Sequence, residues 1–267
     1  EVINPRHEKK TAVFIKGLEN VNDMKFSDSQ VKRLKALADD AAPSSKMPLA
    51  IFASNNGIDI GLSELANSLQ GFEADIIEGD AIKGKDLAKA CIVCHGEDFS
   101  GHASERAPSL SQLSDWYLQG QMQKFKQGIR GGDVADADGY AMKVLMQDFS
   151  KQQMADLSAY IRTQKPKQPK ATLDGNPVKG KAIYSTCFAC HQADAGGLKA
   201  LQVPALTGLP DYYIVKQLHN FKTGLRGSGS GDKTGKMMQA SAKLLKDEQA
   251  LKDVAAYINT LKVKEKK

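Results

Sequence analysis

Two stretches of this chain, Cys91-Ile92-Val93-Cys94-His95 and Cys187-Phe188-Ala189-Cys190-His191, share the pattern Cys-x-x-Cys-His and together use all 4 cysteines of its 267 residues. If each motif lies on a helix, cysteines three apart share a face and the next residue, the histidine, lies close to it. That arrangement is the attachment signature of c-type haem. Each thiol adds to one vinyl group of the porphyrin, and the histidine binds iron from the same side. The spacing also admits a redox dithiol or half of a zinc site. Zinc prefers four Cys or His ligands closing a tetrahedron; pooling both motifs reaches that number only by leaving two adjacent histidines unexplained. Two motifs therefore predict two covalently held haem c groups. No thiol remains for a structural disulfide.

The motifs lie 96 positions apart, and the same offset superposes many other residues. Gly84-Lys85 falls on Gly180-Lys181, Pro108 and Leu110 on Pro204 and Leu206, and Trp116-Tyr117 on Tyr212-Tyr213. Gln121 falls on Gln217, Phe125 on Phe221, Gly128 on Gly224, Arg130-Gly131 on Arg226-Gly227, and Met142 on Met238. A register held this long marks two homologous units. They are expected at residues 79–166 and 167–267, with the Lys- and Pro-rich stretch from Gln164 to Pro177 at their junction. Residues 1–78 lie outside the repeat as an extension expected to be helical, of unread purpose. Its Phe26–Leu34 segment resembles Phe149–Leu157, as a degenerate third unit or simply another amphipathic helix.

Apolar residues recur at helical spacing, which predicts helices over 80–94, 114–127 and 150–163, and over 176–190, 210–223 and 247–261 in the second unit. Ser114 and Ser150 read as N-caps. No run alternates as a strand would, so the fold class is all-α: two tandem haem domains behind a helical extension. A unit of this size has a modest core, and a tethered haem adds an apolar plate for helices to cover. Trp116, Tyr117 and Phe125, with Tyr212, Tyr213 and Phe221, are candidates for that covering; ordinary core packing explains them as well.

With His95 and His191 on one face of each iron, the opposite face decides the chemistry. A thioether there favours ferrous iron and raises the reduction potential, whereas an open face suits catalysis. The chain offers Met142 and Met146 in the first unit, and Met237 and Met238 in the second. The common register selects Met142 and Met238. Met146 maps onto Ala242 and reads as core; Met237 stays an alternative to Met238. His102 maps onto Leu198 and His219 onto Gln123, while His7 lies in the extension; these read as surface residues, with bis-His ligation by His102 kept open. The carbonyls of Pro108 and Pro204 are placed to accept the second imidazole N–H, which orients a metal-binding ring. Arg130 and Arg226 suit haem propionates by guanidinium geometry.

The formal charge of +6 concentrates in the 162–170 stretch and the C-terminal tail, as solvated surface, and no nucleic-acid module accompanies it. No apolar run approaches the roughly 18 residues of a membrane span. The polar start at Glu1 carries no hydrophobic signal region, so an export peptide is expected to have been removed and the location to be periplasmic.

In combination, Cys-x-x-Cys-His, the later Pro-x-Leu, Tyr117-x-x-x-Gln121-x-x-x-Phe125-x-x-Gly128-x-Arg130, Met142 and Leu157-x-x-Tyr160-Ile161 resemble the dihaem cytochrome c4 family, tandem class I cytochrome c domains. The resemblance covers about residues 79–261. It implies periplasmic electron transfer, His/Met-ligated haems in domains that face each other, and service to a respiratory terminal oxidase. The chain departs from the family in its long extension and in Gly96-Glu97-Asp98-Phe99-Ser100, where a glycine-richer loop is usual. The reading is an electron carrier without substrate chemistry. Its partners are a terminal oxidase, an upstream dehydrogenase or a cytochrome complex, and peripheral membrane association is compatible with it. The alternatives are a dihaem peroxidase or small-molecule dehydrogenase with one open haem face, and a cytochrome subunit of a larger oxidoreductase.

Overall fold

The computed structural model describes residues 76–263. The extension's expected helices, Phe26–Leu34 among them, and His7 lie outside the described residues. Among the described residues are ten α-helices, two 3₁₀ turns and no strand. The first unit contains α1 (Ala81–Leu87), α2 (Ile92–His95), α3 (Asp115–Lys126), α4 (Ala137–Met146) and α5 (Lys151–Thr163). The second repeats them as α6 (Pro177–Tyr184), α7 (Phe188–His191), α8 (Asp211–Thr223), α9 (Lys233–Ala242) and α10 (Glu248–Thr260).

Local chemistry sets most of the boundaries. The Asp80 carboxylate accepts from the Ile82 and Lys83 N–H groups to open α1. Asn176 does the same for α6, with Pro177 at the first helical position, where its missing N–H costs nothing. Ser150 and Gln153 form a reciprocal capping box on α5. Ser114 occupies the N-cap position of α3 but its side chain makes no capping bond.

The structure differs from the pattern reading in two places. Each expected helix into a haem motif is broken: after α1 the chain tightens into a 3₁₀ turn at Ala88–Ala90, with the Cys91 N–H on the Ala88 carbonyl at 2.8 Å. The second unit bonds Cys187 N–H to the Tyr184 carbonyl at 2.8 Å, so each motif rides on its own one-turn helix. Second, Met142 and Met238 lie in helices, α4 and α9, that the apolar pattern does not predict. Asp136 caps α4 through the Gly139 N–H at 3.4 Å, and Asp232 caps α9 through Gly235 at 3.0 Å. These segments open on weak helix formers, so propensity hides what the caps and packing support.

Each unit is closed by its first helix crossing its last, α1 on α5 and α6 on α10. Gly84 and Gly180 mark the crossings, where a Cβ would collide with the backbone carbonyls of Asp156 and Asp253. Those same two acids are buried and hold the chain entering the helix: Asp156 accepts from the Asp80 N–H at 2.8 Å and Asp253 from the Asn176 N–H at 2.8 Å. Met154, Leu157 and Ile161 on α5, and Leu251, Val254 and Ile258 on α10, supply the core. Between the units, the junction folds onto the second, with Thr172 and Leu173 N–H groups on the Asp211 carboxylate. No described helix is long and apolar enough to cross a membrane.

Candidate haem centres

In the second unit, α7 ends on His191, which is 4 % exposed. Its Nδ1 lies 3.0 Å from the Pro204 carbonyl. Burial pushes the imidazole pKa down to about 4, against the pull of that carbonyl. The ring is therefore neutral at pH 7. Its N–H is directed at Pro204, and the bare lone pair is on Nε2. That nitrogen is buried and has no hydrogen-bond partner. Leaving such a group unsatisfied costs about 1–3 kcal/mol. His191 lines a cavity also walled by Cys187, Cys190, Met238, Tyr213 and Phe221. The donor set fits a haem: two thiols beside an open imidazole nitrogen, with a thioether in the same cavity.

Burial also raises the thiol pKa values of Cys187 and Cys190, which disfavours thiolate. A low thiol pKa is what a reactive dithiol or zinc thiolate needs. Among the described residues no group of three or more Cys, His, Asp or Glu converges as a metal cluster.

The first unit repeats the buried imidazole and its backbone carbonyl. His95 is 6 % exposed, its Nδ1 is 2.9 Å from the Pro108 carbonyl, and burial lowers its pKa against that bond. Cys91 is buried, its thiol pKa raised to about 11 by desolvation and then by Cys94. Met142 packs half-buried against the core, while Met146 lies inside it at 1 % exposure, in the place that Ala242 takes in the other unit. Met237 also touches the second cavity but is exposed. His102 is exposed, with Nδ1 on the Ser104 hydroxyl at 2.8 Å, and His219 Nδ1 meets Glu248 at 2.9 Å.

The two arginines are engaged across the interface between the units rather than only within them. Arg130 donates to the Tyr213 hydroxyl at 2.9 Å and to Gln217 at 3.0 Å; Arg226 donates to the Tyr117 hydroxyl at 3.0 Å and to Gln121 at 3.0 Å. Each also holds the glutamine of its own unit, Gln121 at 2.8 Å and Gln217 at 2.7 Å. Each guanidinium lies over a ring, Arg130 on Phe125 at 4.4 Å and Arg226 on Phe221 at 4.5 Å. Burial raises the Tyr213 pKa, but the charges of Arg130 and Arg226 outweigh it and the net shift is downward. Arg130 Nε remains buried without a partner. Tyr117, from the first unit, lines the second cavity. Tyr212 is not among that cavity's walls; its hydroxyl donates across the interface to the Ala107 carbonyl at 2.8 Å. Trp116 meets Tyr117 edge-on at 5.6 Å.

A family model described as cytochrome c matches residues 81–165 and again 177–262. Over 193 residues the chain is 33 % identical to cytochrome c4 of Azotobacter vinelandii, covering 67 % of this chain and 86 % of that protein. The chain belongs to the cytochrome c4 family. The crystal structure of reduced recombinant cytochrome c4 from Pseudomonas stutzeri matches the fold, with a TM-score of 0.55 at 24 % identity over 69 % of this chain and all of that one. A thiosulfate dehydrogenase electron acceptor from Thiomonas intermedia is 30 % identical over 56 % of this chain and 69 % of its own length. As a cytochrome c4, the chain carries two haem c groups and is an electron carrier.

Motif reading missed the cytochrome's interface residues. Gln121 and Gln217 stood in the repeat with no role attached, and Lys124, Asp232 and Thr234 drew no attention. A signal existed for the glutamines: polar residues kept in register on helices otherwise patterned for burial. None existed for Lys124, whose partners lie more than a hundred residues away.

Proposed function

We propose that the cytochrome moves single electrons through two irons, each held between an imidazole and a thioether: His95 with Met142, and His191 with Met238. Cys91 and Cys94, and Cys187 and Cys190, are the attachment points, in domains spanning 79–166 and 167–267. The observation that carries this reading is the buried, unpartnered Nε2 of His191 in a cavity walled by two thiols and Met238. Haem iron supplies one-electron exchange between ferric and ferrous states. The protein supplies the rest. Pro108 and Pro204 hold the imidazoles in one tautomer and orientation, which makes the opposite nitrogen a better donor. Apolar walls such as Phe221 exclude water and favour the less charged ferrous state. The Arg130 and Arg226 crossings hold the two centres in fixed relation, and the unpartnered Arg130 Nε supports propionate recognition there.

The setting is periplasmic, with electrons received from an upstream dehydrogenase or cytochrome complex and delivered to a terminal oxidase. The likeness to a thiosulfate dehydrogenase electron acceptor supports an inorganic sulfur dehydrogenase as one such donor. A spectroscopic redox titration of the matured protein tests the reading. Two one-electron low-spin transitions, with little carbon monoxide binding by the reduced form, are expected. Rapid stoichiometric carbon monoxide binding at one haem would overturn it.

A further inference from the structure

The interface obeys the repeat's two-fold pattern in its arginines and breaks it at Lys124. Lys124, on α3 of the first unit, reaches into the second and donates to the Asp232 carboxylate at 2.7 Å and the Thr234 hydroxyl at 3.1 Å. Both side chains are largely buried, Lys124 13 % and Asp232 5 % exposed. Lys124 and Asp232 also line the cavity that holds Cys187, His191 and Met238. The residues that the repeat puts in their places are Asn220 for Lys124, Asp136 for Asp232 and Asp138 for Thr234. No matching bond forms on that side. The Asn220 amide is fully buried and neither its nitrogen nor its oxygen has a partner. Asp136, 2 % exposed, caps Gly139, and Asp138 turns outward to pair with Arg106.

We infer that Lys124 is the residue that makes the two haem sites electrically unequal, setting the second haem at a higher reduction potential than the first. The charges decide it. At the second site a buried carboxylate is matched by a buried ammonium. At the first, the equivalent carboxylate is Asp136, the repeat supplies a neutral amide, Asn220, in place of the ammonium, and Asp138 with Arg106 adds a pair of no net charge. The difference is one positive charge in favour of the second site. A cation near a haem stabilises the form that has gained an electron, and in a buried setting that field is weakly screened. Asp232 stays ionised there: burial raises its pKa, but Lys124, the Gly235 N–H and Arg226 together outweigh burial and the net shift is downward. An electron on this carrier therefore rests on the second haem, and the first is the better donor.

This rests on the two-haem ligation proposed above. A redox titration of the full haem-loaded protein separates the two claims, since loss of either low-spin transition counts against the ligation and only the gap between transitions reports on Lys124. Lys124→Met keeps the apolar stem and removes the charge. It is expected to shift the upper transition down and narrow the gap, with Lys124→Arg restoring the wild-type gap. Asn220→Lys, which supplies the missing cation on the other side, is expected to shift the lower transition up and narrow the gap as well. A gap that widens in these charge variants would mean the order is reversed. A gap unchanged in Lys124→Met, or narrowed equally in Lys124→Arg, would remove the charge as its source. Either result overturns the inference.

Discussion

Gly180 lies where α6 crosses α10, and an added methyl would meet the Asp253 backbone carbonyl well inside van der Waals contact, with the Tyr257 Cβ at 2.9 Å. The obstruction is backbone, so no side-chain rotation relieves it and the helices must part. Overpacking of this kind costs about 1–3 kcal/mol. Alanine's better helix propensity returns at most about 1 kcal/mol. Because the clash is with a carbonyl that the Asp253 helix cannot move alone, Gly180→Ala is expected at the upper end, a net loss of about 2 kcal/mol. For a unit of this size that corresponds to a fall in Tm of about 8–16 °C. Gly84→Ala meets the Asp156 carbonyl in the same way and should behave alike. Gly120 is the control. It sits in α3 with nothing within 4 Å of an added methyl, and the repeat puts Lys216 in its place. Gly120→Ala should gain about 0.5–1 kcal/mol. Thermal melts of the haem-loaded proteins, followed by far-ultraviolet circular dichroism, read both signs. Equal melting of Gly180→Ala and Gly120→Ala would refute the claim that the crossing requires glycine.

Met142→Ala and Met238→Ala should each convert one of the two haems toward high-spin and lower its potential, seen as half-loss of the low-spin signature in absorption; unchanged spectra would strike that residue from the ligands. The Asn176 N–H and then Gln249 hold the Asp253 carboxyl below its usual range. A depressed folded-state pKa stabilises above the unfolded value of about 4 and loses that contribution as pH falls through the folded one. Asp253→Asn should therefore lower the urea midpoint at pH 7 and flatten its decline below about pH 4, and parallel acid limbs would argue against this. Tyr213→Phe removes an acceptor of Arg130 and should cost about 1.5–3 kcal/mol in interface stability, read as faster amide exchange along α3 and α8; unchanged exchange would show that Gln217 suffices.

What could be read from residue order was whatever depends on short spacing or on the repeat. Cys-x-x-Cys-His is a chemical reagent within five residues. The constant offset then aligned Pro108 with Pro204 and Met142 with Met238, since a duplicated unit keeps what its site needs. Helices α3, α5, α8 and α10 followed from apolar periodicity. Helices α4 and α9 did not: Asp136-Ala137-Asp138-Gly139 and Asp232-Lys233-Thr234-Gly235 look like turns until the carboxylate is seen capping the glycine N–H.

Sequence by itself determined two all-α haem modules, because thiol and imidazole chemistry and helical periodicity are local properties. Tertiary structure alone decided how those modules face each other. It sent Arg130 and Arg226 to the opposite unit's tyrosines and glutamines, and it gave Lys124 a buried carboxylate while leaving Asn220 without a partner. Those choices belong to residues brought together from 83 to 109 positions apart in the chain, where burial strengthens each charge and hydrogen bond and no spacing rule reaches.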